Sequence, residues 1–459
     1  MRAQCEDLIQ GGTKLMISQV LYEQKRGTLE QALNLIQSND NVCMGGDCNE
    51  PTVFASQLHT IAPRVENVQV IKSRIGEYPF LTMPEMAGHI QTNGFFFGRS
   101  FVEAATQDHV QLLVSDLREY AGNLVEHRPC NVLVLSTAPM DEDGFFHIGM
   151  SLLWEKEQLE DILKRDDSRI ILEVNRQQPR FRSGLTINVK DVTLLYEVDE
   201  PLPEINEPLN PLAVDGMSDD FTINRSIARK VASLIRNGDC IQLGVGPLSA
   251  DIADCLHDRV DLGLHTVMLT KELVDLIERG VITGNDKNLD NGQHVFTFAG
   301  GDAELYKRLP NIPNLSIRPA SYVADPMVIS RIHNMVAVNT LVEMDLTGQV
   351  CAESIGPKQL SGAGATCDFA LGAIHSRGGR SILAFPSRSS SGVSKIQGML
   401  HIGAAVSIPR NYVDYVVTEY GIAQLKGRSV YERAQALVAI AHPDCRDELD
   451  AFAREHNYY

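Results

Sequence analysis

The sequence is short of most features that would make its function obvious. It has one Trp and 41 Lys+Arg against 59 Asp+Glu, a formal net charge of −18. Nucleic-acid binding is disfavoured, because phosphate contacts need clustered Lys and Arg. No run of 18 apolar residues exists, so no membrane-spanning helix and no membrane partner is expected. The start, Met1–Gly12, carries Glu6 and Asp7 and no apolar core, which is unlike a signal peptide. Nine cysteines are present, but none is spaced C-x-x-C, which argues against zinc ribbons, thioredoxin-type sites and a secreted disulfide framework. G-x-S-x-G and H-E-x-x-H are missing, and the histidines are scattered, so neither a serine elbow nor a metal site is expected. A reduced, cytoplasmic chain follows as the expectation.

What is present is an ordinary globular composition, 44 % hydrophobic and 22 % charged, with 35 glycines over 459 residues. Thr28-x-x-Gln31 reads as a capping box before Leu29, Ala32, Leu33 and Ile36 at helical spacing. The strand-like Val42-Cys43-Met44 then meets Gly45-Gly46, and helical spacing resumes at Val53, Phe54 and Leu58. The phrase recurs later. A helix face of Ile227, Val231, Leu234 and Ile235 ends at Gly238. Cys240-Ile241-Gln242-Leu243 and Gly244-Val245-Gly246 follow, then a helix with Ile252, Ala253 and Leu256. Asp40–Gly45 lies over Asp239–Gly244 at a constant offset of 199. Further buried-strand candidates are 132–135, 170–174, 192–196, 335–338, 382–385 and 413–417. The expected fold is therefore α/β: two tandem open α/β/α domains with mostly parallel sheets. Residues 1–15 read as an upstream extension, 16–200 as the first domain and 217–459 as the second. Residues 201–216, with Pro201, Pro203, Pro208 and Pro211, read as an extended linker.

Two loops could hold ligand. Gly244-Val245-Gly246-Pro247-Leu248 sits between a strand and a helix, where backbone N–H groups can hold an anion or a developing oxyanion. Ser249 stands where a dinucleotide fingerprint needs its third glycine. Ser361-Gly362-Ala363-Gly364-Ala365-Thr366 is made of small residues but lacks a P-loop's ending. Either could equally be a plain turn. Arg388 and Lys395, around the serine-rich stretch after Ser387, could receive phosphate or lie on a solvated loop. Glu343, Asp345 and Glu353 flank Leu346–Gln349 and are expected to be solvated.

Longer stretches carry a resemblance. They are Asn339–Val350 continuing through Ala352–Gly356, Val413–Gly421, Glu432-Arg433-Ala434 and Ile440–Pro443, with Glu173-Val174-Asn175 and Pro179-Arg180 earlier. Together they resemble the acetyl-CoA hydrolase/transferase group of family I CoA-transferases, near its 4-hydroxybutyrate or butyrate branch. The resemblance implies an interdomain active site and a homo-oligomer. It also implies acyl-CoA and a short-chain carboxylic acid as substrates, with coenzyme A passed between them through a glutamyl intermediate. Gly244-Val245-Gly246, with Pro247 and Leu248, matches the family's oxyanion and CoA loop. Gly362, Gly364, Ala365, Thr366 and Ser387 fall at its CoA-binding positions.

Three positions depart from the pattern. The family's H-T-E-M segment is His265-Thr266-Val267-Met268 here, so valine stands where the nucleophilic glutamate belongs. Ala365-Thr366 replaces Gly-Gln, and Leu371 replaces Arg. Glu272 would lie about 140° away on a continuing helix and should not substitute. Three readings stay open. The chain is a CoA-transferase inactive as it stands, or an acyl-CoA hydrolase or other non-covalent enzyme using Glu353 or Glu50, or a non-catalytic CoA-binding subunit. A dicarboxylic substrate such as succinate or itaconate would need an extra cation in the pocket, and sequence alone does not place Arg180, Arg182 or Arg388 there.

Overall fold

The computed structural model describes residues 16–72, 76–96, 108–181, 184–205 and 221–459. Residues 1–15, most of the 201–216 segment and Arg182 lie outside them. Two large sheets organise the chain. The first contains β1 (Asn41–Met44), β2 (Val68–Lys72), β3 (Ile90–Gly94), β4 (Val110–Leu112), β5 (Val132–Thr137), β7 (Arg169–Asn175) and β9 (Leu194–Val198). Their order is β4-β3-β2-β1-β5-β7-β9, all parallel. Strands β6 (Phe145–His147) and β8 (Thr186–Asn188) form a separate ribbon.

The second sheet contains β10 (Cys240–Leu243), β11 (Gly263–Leu269), β12 (His294–Ala299), β13 (Leu315–Ile317), β14 (Met335–Asn339), β19 (Arg380–Ala384), β21 (Tyr415–Thr418) and β22 (Gly421–Gln424). Its order is β13-β12-β11-β10-β14-β19-β21-β22, and only β22 runs antiparallel. Without β22 the two orders superpose position for position. Smaller strands β15 (Glu343–Asp345), β16 (Val350–Cys351) and β20 (Ile396–Gln397) make a third sheet. Strands β17 (Ser354–Ile355) and β18 (Lys358–Gln359) make a hairpin. The parallel strands are buried on both faces, which explains their near-continuous apolar runs.

The duplication reaches single side chains. Asp40 accepts the Gln37 N–H and Asp239 the Arg236 N–H, each at 2.6 Å. Each aspartate is buried and also pairs with an arginine that opens a strand two places away in its sheet: Arg169 at 2.6 Å for Asp40, and Arg380 for Asp239. Arg64 donates to the carbonyls of Leu33 and Ile36, and Arg259 to those of Ala232 and Ile235; the acceptors are again 199 residues on, the arginines 195. One hydrophobic core runs through both halves and joins Leu133 and Leu172 with Ile241, Phe296 and Val336.

One local reading is met: the Thr28/Gln31 capping box is formed. Gly238, at φ 74°, does not end its helix, which stops at Ser233 because Leu234 and Ile235 close tighter turns onto Val231 and Ala232; Gly238 lies in the turn that leads into β10. Others are displaced. The strands expected at 192–196 and 413–417 begin at Leu194 and Tyr415, because Val189–Asp191 and Arg410–Tyr412 take up short 3-10 turns first. Glu343, Asp345 and Glu353 are not solvated but buried, since each satisfies local N–H or O–H donors inside the small third sheet and its hairpin. The start of the proline-rich stretch docks on the second half. Ile205 N–H donates to Gly301 O at 2.9 Å, and the Tyr306 hydroxyl to Pro203 O at 2.9 Å.

Candidate active site

In an open parallel sheet, ligands bind beyond the carboxyl ends of the strands where the winding reverses. Both sheets reverse at their central pair, β1/β5 and β10/β14. A cleft of about 1330 Å³, open to solvent, lies at both ends. Asp47 reaches it from the turn after β1, Lys72 from the end of β2, and Phe95 and Phe96 from just after β3. The second half contributes Gly244 and Val245 after β10, Val267 and Met268 on β11, and Asn339 and Thr340 where β14 ends.

Burial of polar groups sets the turn after β1. Glu155 accepts the Gly46 N–H at 2.7 Å and the Trp154 N–H at 3.0 Å. Asn49 donates to Ser151 O at 2.6 Å and accepts the Met150 N–H at 3.0 Å. The Trp154 indole N–H donates to Met44 O at 2.9 Å and lays the ring along the cleft wall. A Cβ on Gly46 would crowd Leu153 Cδ1 at 2.8 Å and the Trp154 ring at 3.2 Å, so glycine lets the turn pack closely on that ring. Behind Lys72, Glu50 pairs with its ammonium at 3.1 Å and accepts the Tyr78 hydroxyl at 3.0 Å. Burial lifts the Glu50 carboxyl to about 7 against the pull of Lys72, and lowers the Lys72 ammonium. Glu155 and Glu173 are likewise pushed up to about 7 by burial.

The two loops singled out in the sequence meet at this cleft, though not with every residue. Gly244 and Val245 line it. The Gly244 N–H is already spent on Val338 O at 2.9 Å. Gly246, at φ 116°, and Pro247 turn into an adjoining cleft with Thr270, Lys271 and Glu272. Leu248 faces the core and is 3 % exposed. Gly362, Gly364, Ala365 and Thr366 all line the main cleft. The first half clamps this loop: Leu117 N–H donates to Gly364 O at 3.1 Å, and a Cβ on Gly362 would lie 2.0 Å from Phe95 O. Ser387 is fully buried, with its N–H and hydroxyl both bound by the Glu419 carboxylate, so it does not face the cleft.

Val267 lies inside β11, half-buried on the cleft wall. That strand runs to Leu269, and helix begins only at Lys271. The helical geometry assumed for Glu272 is therefore not the one present, although Glu272 does face the other cleft. His265, two residues before Val267, is buried. Its Nε2 bonds Val323 O at 2.8 Å, and burial lowers its pKa to about 4. Neither alternative carboxylate is available. Glu353 accepts from Ser407 at 2.7 Å and from Gln359 at 3.0 Å, and Glu50 is held behind Lys72.

Among the described residues lining the cleft the charged ones are Asp47, Lys72 and Lys395. Lys72 is neutralised by Glu50, which leaves Lys395 as the cleft cation without an ion pair to a described residue. Arg180 and Arg388 are elsewhere: Arg180 donates to Pro139 and Met140 carbonyls, and Arg388 pairs with Asp444 at 3.0 Å. Sequence reasoning missed Lys72 and Trp154. A lysine ending the apolar run Val68–Lys72 was the available signal for the first. Among the described residues no helix is long and apolar enough to cross a membrane, and no group of three His, Cys, Asp or Glu could hold a metal.

Known proteins resemble this chain along most of its length. Residues 13–205 match the acetyl-CoA hydrolase/transferase N-terminal domain, and residues 301–453 its C-terminal domain. A 4-hydroxybutyrate coenzyme A transferase of Clostridium kluyveri is 34 % identical over 434 residues, covering 94 % of this chain and 97 % of that one. A succinyl-CoA:cyclohexane-1-carboxylate CoA transferase of Geobacter metallireducens is 32 % identical over 438 residues, covering 95 % and 96 %. The crystal structure of RipA from Yersinia pestis superposes with a TM-score of 0.86 at 32 % identity, covering 96 % of this chain and 100 % of that one.

Proposed function

The chain belongs to the acetyl-CoA hydrolase/transferase family, and from that premise we propose that its cleft is a coenzyme A-transferase site for a short-chain acyl-CoA and a carboxylic acid. The observation that carries this is the meeting of the two loops, 244–245 and 362–366, with Val267 around one cleft. In the covalent route a glutamate at position 267 attacks the acyl thioester. The C–S bond breaks, coenzyme A leaves as thiolate, and a mixed anhydride remains. The thiolate then attacks the glutamyl carbonyl and expels the first acid as carboxylate. A second acid takes up the CoA by the reverse steps. The small-residue loop at Gly362–Thr366 brings backbone close to the thioester oxygen, where donors favour the tetrahedral state over the ground state.

Val267 has no atom that can attack. Glu353 and Glu50 are committed to hydrogen bonds and an ion pair, so non-covalent hydrolysis through them is disfavoured. The protein as it stands thus binds CoA esters without forming an acyl anhydride, and Val267→Glu restores transfer. Intact mass after incubation with butyryl-CoA tests this. No covalent CoA is expected on the natural chain, and a CoA adduct is expected on Val267→Glu. An adduct on the natural chain, or none on a folded Val267→Glu that binds CoA, refutes it.

A further inference from the structure

Lys395 is a poorly explained cation in this fold. It is 6 % exposed, and among the described residues its ammonium makes one hydrogen bond, a long one, 3.4 Å from Nζ to Leu341 O. No carboxylate of a described residue forms an ion pair with it. Glu419 is the acid that favours its charge, but both oxygens of that carboxylate are taken by Ser387. Burial lowers the ammonium only to about 8, so the charge persists at neutral pH. A buried ammonium with so little compensation is costly unless an anion completes the site.

Its position says which anion. Lys395 lines the main cleft together with Val267, Gly244 and Gly364. With Val342 it also forms the wall of a second groove, which holds Ser389, Ser390, Ser391, Ser394 and His401. Val267 and the two glycine loops line only the first. The ammonium therefore stands where the reaction cleft opens into a polar side groove, and the atoms around the thioester position line only the cleft. A carboxylate pinned by a buried ammonium is also a poor nucleophile, because it must shed its counter-ion to attack.

We propose that Lys395 binds a second, non-reacting carboxylate of the acyl group, making dicarboxylic acids the preferred substrate class. This rests on the cleft being a site for CoA esters. Lys72, the other cation of the cleft, is unsuited to the task because Glu50 already pairs with it at 3.1 Å.

Trp154 is the only tryptophan and lies in the cleft wall, so its emission reports occupancy directly, with calorimetry as a second readout. The probes are succinyl-CoA, butyryl-CoA, coenzyme A, the pantetheine esters of the same two acids, and free succinate and butyrate. The natural chain should bind succinyl-CoA about tenfold or more tightly than butyryl-CoA, the range of a charge-assisted hydrogen bond. Lys395→Met should abolish that preference and leave coenzyme A affinity unchanged, while Lys395→Arg should keep most of it. Met fills a similar apolar volume, so the variant should fold, which circular dichroism checks. Equal affinity for the two esters in the natural chain overturns the proposal, and so does a preference that survives Lys395→Met. So does a loss in Lys395→Met that is equal for coenzyme A and absent for the pantetheine esters, which would assign Lys395 to a phosphate. If no CoA compound binds, the parent reading fails. A preference for free succinate over butyrate that disappears in Lys395→Met then still decides the role of Lys395.

Discussion

Asp368 gives the sharpest physical test, because it joins the two halves beside the cleft. It lies in the helix Thr366–His375 and is 5 % exposed, and its carboxylate reaches the Arg118 N–H at 3.4 Å. Burial first, and the neighbouring charge of Asp116 second, push its carboxyl from 3.8 up to about 8. The folded state thus holds a proton that the unfolded chain releases near pH 4. Between those values the folded protein binds more protons, so stability falls as pH rises, and the loss is complete above about 8. A gap of about four units corresponds to at most about 6 kcal/mol at about 1.36 kcal/mol per unit. Relaxation and water entry reduce the observable share to on the order of 2 kcal/mol. Asp368→Asn keeps the shape and removes the charge, so it should lose less stability than the natural chain between pH 6 and pH 9. Urea midpoints at the two pH values measure this. Glu50, Glu155 and Glu173 titrate in the same range but cancel in the difference between the two proteins. Parallel pH dependence in both proteins would refute the reasoning.

Two further tests follow from packing. Asp40→Asn and Asp239→Asn should cost similar amounts, on the order of 2 kcal/mol each, because each removes the carboxylate partner of a largely buried arginine at matching places in the two sheets; chemical denaturation checks the equality. Gly362→Ala should loosen the clamp on the small-residue loop, since its Cβ would fall 2.0 Å from Phe95 O; hydrogen exchange should then rise at the Leu117 amide, which donates to Gly364 O, while the β11 amides stay protected.

The two-fold plan was legible because the 199-residue offset preserves a buried aspartate and the glycine turn after it, features local enough for a short match to expose. That Val267 faces the cleft was legible too, since it stands in a short segment that carries the family resemblance. The strand bounds near 194 and 415 were not, because 3-10 turns interrupt apolar runs without changing composition. Burial of Glu343 and Asp345 was hidden for another reason. Short strands from residues 343–351 and 396–397 cover them, and no local pattern announces a partner fifty residues away. Lys72 reaches the cleft through sheet order, which periodicity does not encode.

The seam between the halves has a mechanical consequence. Leu152 N–H donates to Thr297 O, Ala299 N–H to Met150 O and Ala320 N–H to Leu152 O, each at 2.9 Å, and the Cys48 thiol bonds Ala299 O at 3.1 Å. These bonds fasten residues 150–152 and the turn after β1 to β12 and to the stretch that follows β13. Swinging the halves apart would break several buried main-chain bonds at once. The floor of the cleft is therefore a fixed anvil rather than a hinge, and the two halves should melt as one cooperative unit.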